Sequence, residues 1–214
     1  MSEVAALSAN VIAAQADYDE RLERTRFRKV VGKLTTVVIH CFDPRVTGGI
    51  PYAVADALPD QDYPGEIFEF TDENGKTKFG TTTTIFPVIN AGGKADDGAL
   101  RSIAVASHLF DIDNAVVVHH TDCGGTHSSP EGFFKRFKEE FDQDLSERWD
   151  PNDVGWIRDF EESLSLDVGL IRASVGTPKH VNVYGFAYDI ETGKLHLVAE
   201  SPGDPSAPRG EKWR

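Results

Sequence analysis

The sequence predicts an α/β fold built on a short, mostly parallel central sheet flanked by helices. Three observations carry this. TTVVIH at 35–40, PVIN at 87–90 and AVVVH at 115–119 are short, apolar and β-branched, as strands buried on both faces are. Segments with apolar residues at helical spacing lie between these runs. Neither an internal repeat nor an inter-domain linker interrupts the alternation, so the strands fall in one sheet.

The elements follow in order. Residues 6–28, rich in Ala, Glu and Arg, predict a first helix. After the strand at 35–40, residues 50–58 predict a short helix with Pro51 near its start. Asn74-Gly75, set between EIFEF and TKFGTTTTIF, predicts an inserted β-hairpin around 66–86. The strand at 87–90 runs into Ala91-Gly92-Gly93. Leu100, Ile103, Ala104, Ser107 and Phe110 share one face of a helix from Asp97 to Phe110, capped by Asp96 or Asp97. Phe133, Phe134, Phe137, Phe141 and Leu145 predict a helix over 130–145, with Ser128 and Glu131 as a capping box. Trp156, Phe160 and Leu164 predict another over 152–166. Strands at 181–190 and 194–199 close the fold, joined at Glu191-Thr192-Gly193. Residues 201–214, with three prolines and two glycines, predict a flexible tail.

Composition narrows the function. With 40% hydrophobic and 10% aromatic residues, the 214-residue chain has enough apolar side chains for one core. A formal charge of -13 disfavours nucleic acid and anionic lipid as partners. The N-terminus lacks the pattern of a signal peptide, and no apolar run is long enough to span a bilayer, so a cytoplasmic location is expected. In a reducing compartment, two cysteines point to metal, catalysis or inert burial before a disulfide.

Both cysteines follow strands. The first strand ends in His40-Cys41-Phe42-Asp43-Pro44-Arg45, the third in His119-His120-Thr121-Asp122-Cys123-Gly124-Gly125. In open α/β sheets, functional groups gather beyond the carboxyl ends of strands. Cys41, His120 and Cys123 together form a Cys₂His set suited to Zn2+, and three protein ligands leave a position open for water. Asp43 stands where it can take that position or accept a hydrogen bond from the activated water, and Arg45 can hold it through a bidentate pair. A lone cysteine at a strand end is ordinarily a small buried hydrophobe. The joint pattern speaks against that here, since it uses every cysteine, shares one rim and adds an Asp-x-Arg pair. His40 and His119 precede the proposed ligands by one residue, so they are expected on the opposite faces of their strands, as packing or interface residues.

Cys41-x-Asp43-x-Arg45, Asn90-Ala91-Gly92-Gly93 and His120-x-x-Cys123-Gly124 together resemble the β-class carbonic anhydrases. The His119-His120 start resembles the branch that includes carbonyl sulfide hydrolases; carbon disulfide hydrolases belong to the wider family. The resemblance runs from about Thr35 to Val198. It implies a β-carbonic-anhydrase-like fold and one Zn2+ per subunit on Cys41, His120 and Cys123. It also implies Asp43 and Arg45 as the catalytic pair, and Asn90, Ala91 and Gly92 as the pocket loop. Homodimers or homotetramers, with the site near an interface, are implied as well. Phe42 and Ile89 are further candidate pocket walls. Ile89 stands where many relatives carry arginine, Pro44 where they often carry serine or alanine, and residues 60–86 are longer than usual. These departures bear on the substrate more than on the zinc site.

The expected organisation is an N-terminal helical arm at 1–30, a zinc-binding α/β catalytic domain at 31–200 and the tail. The expected activity is zinc-dependent hydrolysis of carbonyl sulfide to carbon dioxide and hydrogen sulfide. Hydration of carbon dioxide and hydrolysis of carbon disulfide are the alternatives, each with a small nonpolar substrate. A structural zinc-binding protein is the non-enzyme alternative, against which the Asp43–Arg45 pair argues. A nucleotide-binding protein is weaker still, since no Gly-x-Gly-x-x-Gly or P-loop follows a strand.

Overall fold

The computed structural model describes residues 3–8, 11, 15–127, 129–150 and 155–209. Its elements are α1 (Glu3–Ser8), α2 (Glu20–Val31), β1 (Thr36–Cys41), α3 (Gly49–Ala57), β2 (Ile67–Thr71), β3 (Thr77–Thr81) and β4 (Ile85–Asn90). There follow α4 (Asp97–Phe110), β5 (Asn114–His120), α5 (Pro130–Phe141), α6 (Phe160–Ala173), β6 (Asn182–Asp189) and β7 (Lys194–Ser201). Single 3₁₀ turns occupy Ala91–Gly93, Gly124–Thr126 and Leu145–Glu147.

The main sheet has the order β4-β1-β5-β6-β7. Its first four strands run parallel, and β7 pairs antiparallel with β6. β1 and β5 lie at the centre, buried along almost their whole length, which is why neither alternates with polar residues. Val37, Ile39, Ala115 and Val117 pack with Ile103 of α4 and with Leu164 and Ile171 of α6. Val38, Val116 and Val118 pack on the other side with Ile50 and Val54 of α3. Leu164 and Ile171 are fully buried, and removing each from water contributes roughly 1.5–3 kcal/mol. Parallel pairing brings the C-terminal ends of β1 and β5 to one rim, and Cys41 lies level with Asn90 of β4.

The inserted hairpin is present as β2 and β3, a two-stranded sheet of its own with Ile67 opposite Thr81 and Thr71 opposite Thr77. Asp72 organises its turn, accepting the N–H groups of Asn74 and Lys76 on Oδ1. Gly75 adopts φ 75°.

Several expected boundaries are corrected. The helix expected over 6–28 is divided into α1 and α2, because a turn from Gln15 to Tyr18 precedes an Asp19 whose carboxylate caps α2 on Leu22 N at 3.0 Å. Residues 9, 10 and 12–14 of that expectation lie outside the described residues. Among the described residues, the helix expected over 152–166 begins at Phe160 and runs to Ala173; residues 152–154 of that expectation lie outside the described residues. Asp159 sets the start by accepting Glu162 N at 2.9 Å, so Trp156 precedes the helix and packs edge-on against Phe133. α5 stops at Phe141, where Asp142 turns left-handed at φ 54°. Its cap is Ser129, whose hydroxyl accepts Gly132 N at 3.0 Å; Ser128 lies outside the described residues. Within the expected tail at 201–214, Asp204 N donates to the Lys179 carbonyl and Arg209 pairs with Asp111 and Asp113; residues 210–214 lie outside the described residues.

Candidate metal centre

β1 delivers Cys41 to the rim, β5 delivers His120, and the turn after β5 delivers Cys123. All three are buried, and their donor atoms lie within 4.8 Å of one another. The sulfurs of Cys41 and Cys123 are 3.8 Å apart and unbonded. Two thiolates on a tetrahedral zinc, each at about 2.3 Å, would lie about 3.8 Å apart. The His120 ring lies 2.9 Å through Nδ1 from the Thr121 carbonyl. Donation to a carbonyl puts the proton on Nδ1 and leaves the lone pair on Nε2. Nε2 is buried without a hydrogen-bond partner. An orphaned imidazole nitrogen facing two close thiols fits a Cys₂His zinc site.

The sulfurs are electrostatically prepared for a cation. The Cys41 thiol is drawn down to about 4, first by its contact with Cys123, then by His120 and the N–H groups of Asp43 and Gly92, against the opposing effect of burial. The same sulfur–sulfur contact pushes Cys123 up.

Two glycines allow the backbone to close behind the cluster. Gly92 and Gly93 sit at φ 72° and 66°. A Cβ on Gly93 would meet the Val118 carbonyl at 2.6 Å and Cys41 N at 2.9 Å. Asn90 holds this loop: its Nδ2 donates to the Lys94 carbonyl and Asp96 Oδ2, and its Oδ1 accepts Lys94 N.

Asp43 and Arg45 meet as the sequence predicts. Arg45 Nε donates to Asp43 Oδ1 at 3.0 Å, Nη2 to Oδ2 at 2.6 Å, and the Arg45 backbone N–H to Oδ1 at 2.9 Å. These bonds, the side-chain ones first, hold the Asp43 carboxyl at about 2, well below the usual carboxylate range. Phe42 and Ile89 are 62% and 49% exposed. Ala91 is also exposed, whereas Gly92 is buried and Asn90 half-buried. None of these five lines a cavity of about 770 Å³ that has Lys94, Ser163, Asp167, Trp149 and Trp156 among its walls.

Sequence reasoning missed two groups of residues. Asp122, between His120 and Cys123, takes Arg45 Nη1 on Oδ2 at 2.7 Å and His127 Nε2 on Oδ1 at 2.7 Å. A guanidinium with five donors and only one named carboxylate was the available signal. The second group lies on the α6 side of the sheet, where His119 points as expected. There Asp167, 1% exposed, accepts His119 Nε2 and Lys94 Nζ, both at 2.9 Å, and Lys94 also donates to Ser163 Oγ at 2.7 Å. Burial is the main force lowering the His119 pKa. No local pattern links Lys94 to a residue on a helix so distant in sequence.

No protein-family model matches the chain. It is 28% identical over 123 residues to the carbon disulfide hydrolase of Acidithiobacillus thiooxidans, covering 50% of this chain and 60% of that protein. It is 28% identical over 109 residues to beta-carbonic anhydrase 1 of Mycobacterium tuberculosis, covering 51% and 64%. The match thus spans less than two thirds of the length of either curated relative. Among solved structures, a carbonic anhydrase from Streptococcus mutans shares the fold with a TM-score of 0.58 at 22% identity, over 92% of this chain and 95% of that one. The apo form of a carbon disulfide hydrolase also gives 0.58 at 22% identity, over 84% and 87%. The chain is thus similar in sequence to a carbon disulfide hydrolase and a β-carbonic anhydrase, and it shares the fold of solved structures of both kinds.

Proposed function

We propose that this chain is a zinc-dependent hydrolase of carbonyl sulfide, releasing carbon dioxide and hydrogen sulfide. The observation that carries the reading is the buried Cys41–His120–Cys123 cluster beside the ion-paired Asp43 and Arg45. Cys41, His120 and Cys123 would hold one Zn2+ per subunit within the catalytic domain at 31–200. When bound, zinc supplies a Lewis acid that brings the pKa of a coordinated water to about 7.

The chain's own residues do the rest. Asp43, kept ionised by Arg45, accepts a hydrogen of the nucleophilic water and aims its lone pair. Attack on the central carbon forms a C–O bond as the carbon–sulfur double bond becomes single; the resulting thiocarbonate then breaks its C–S bond, leaving carbon dioxide, and the sulfur departs with the two protons of the water as hydrogen sulfide. Phe42 and Ile89, apolar and exposed beside the site, give a small nonpolar substrate a surface to settle against. Asn90, Ala91 and Gly92 complete that surface and hold the loop whose Gly92 N–H points at the Cys41 sulfur. A homodimer or homotetramer belongs to this reading, with a second subunit covering the exposed apolar rim; sedimentation of the purified protein tests it.

Carbon dioxide hydration is the second reading, favoured by the similarity to a β-carbonic anhydrase. Carbon disulfide hydrolysis is favoured in the same way by a relative of that name. One side-by-side assay separates them: hydrogen sulfide release from carbonyl sulfide and carbon disulfide against stopped-flow hydration of carbon dioxide. The proposal expects the highest kcat/KM on carbonyl sulfide. A kcat/KM for carbon dioxide larger by orders of magnitude overturns it.

A further inference from the structure

We propose that Asp122 is a positioning residue that fixes the Arg45 guanidinium from the side away from Asp43. The inference rests on the zinc-hydrolase reading above and adds a residue to it.

Arg45 is 49% exposed. An exposed arginine paired with one carboxylate keeps much of its freedom, because side-chain entropy and water compete with the pair. Here both edges of the guanidinium are engaged. Nε and Nη2 donate to Asp43 Oδ1 and Oδ2 at 3.0 and 2.6 Å. Nη1 donates to Asp122 Oδ2 at 2.7 Å, and Nη2 also donates to the Asp122 carbonyl at 2.8 Å. Asp122 sits at φ 54°, a left-handed conformation that aspartate tolerates better than most residues, and offers Arg45 both its carbonyl and its carboxylate. Its other oxygen, Oδ1, is bonded to His127 at 2.7 Å.

The placement has a mechanical consequence. Arg45 lies on the loop that follows Cys41, and Asp122 stands between His120 and Cys123. The guanidinium therefore bridges the two segments that carry all three metal ligands. When Asp43 turns towards the water nucleophile, Asp122 retains Arg45, so Asp43 works against a fixed partner. Rigid support of this kind governs how well a reacting group is aimed.

Two measurements test the proposal. In a crystal structure of Asp43→Ala, which needs no turnover, Arg45 Nη1 is expected to stay on Asp122; a guanidinium swung into solvent overturns the proposal. In zinc-loaded protein, Asp122→Ser is expected to lower kcat/KM by about ten- to a hundredfold at full zinc content. Asp122→Asn, which keeps an acceptor and tolerates the left-handed backbone, is expected to restore most of it. Added to Arg45→Ala, Asp122→Ser is expected to cost nothing further, as for a residue acting through Arg45 alone. Wild-type kcat/KM in Asp122→Ser, or losses that multiply in the double variant, contradict it. A wild type that turns over none of the three substrates overturns the hydrolase reading instead, and the Asp43→Ala structure then decides the role of Asp122 by itself.

Discussion

Gly93→Ala probes how tightly the backbone closes behind the Cys41–His120–Cys123 cluster. Two costs combine there. At φ 66°, an alanine adopts a left-handed conformation that disfavours a Cβ by about 1–2 kcal/mol. The new methyl also meets the Val118 carbonyl at 2.6 Å and Cys41 N at 2.9 Å, both on central strands that have nowhere to move. Overpacking of this kind costs about 1–3 kcal/mol, so the total is about 2–5 kcal/mol. A domain of this size loses roughly 2–4 °C in Tm per kcal/mol, which predicts a fall of about 4–20 °C. Two other glycines separate the contributions. Gly75 has φ 75° but open space around it, so Gly75→Ala bears only the backbone cost, about 1–2 kcal/mol. Gly124 has open space and no positive φ, so Gly124→Ala stays within about 0.5 kcal/mol. Thermal unfolding by circular dichroism, with zinc content measured on each sample, reads all three. A Gly93→Ala protein that melts no lower than Gly75→Ala, with undiminished zinc, refutes the claim that close backbone packing positions Cys41.

Asp167→Ala leaves the Lys94 ammonium without its buried carboxylate and is expected to destabilise by about 3–5 kcal/mol in urea unfolding; a loss below about 1 kcal/mol contradicts the network's importance. The Asp43 carboxyl is expected to titrate at about 2 by NMR, and to return towards the ordinary value, about 3.9, in Arg45→Ala. Because its folded pKa is depressed, the stability this pair contributes is present above about pH 4 and is lost as pH falls through about 2; titration near 4 in the wild type refutes the pairing. Ile89→Ala is expected to lower kcat/KM for a nonpolar substrate about tenfold or more at unchanged zinc content; an unchanged kcat/KM removes Ile89 from the substrate surface.

Elements governed by local chemistry were the legible ones. TVVIHC and AVVVHH are buried on both faces, and their unbroken apolar character says so directly. Once these strands lie parallel and adjacent, their C-terminal ends share a rim, so Cys41, His120 and Cys123 follow from the sequence. Helix starts were harder, because two signals compete. The Trp156, Phe160, Leu164 spacing suggests a helix, but the Asp159 cap sets its first turn. Across 6–28, helix-forming composition hid the Asp19 cap. Long-range polar contacts were out of reach altogether. Arg45 finds Asp122 across 77 positions, and His119 finds Asp167 across 48, through sheet register and helix packing that no local pattern encodes.

The central claim is that Cys41, His120 and Cys123 hold a zinc ion. X-ray absorption at the zinc edge, on protein of known metal content, tests it most directly. The account predicts one zinc per chain, with two sulfurs at about 2.3 Å and one imidazole nitrogen at about 2.0–2.1 Å, and loss of that zinc in Cys41→Ser. A shell without two sulfurs, or a zinc that survives Cys41→Ser, would contradict it.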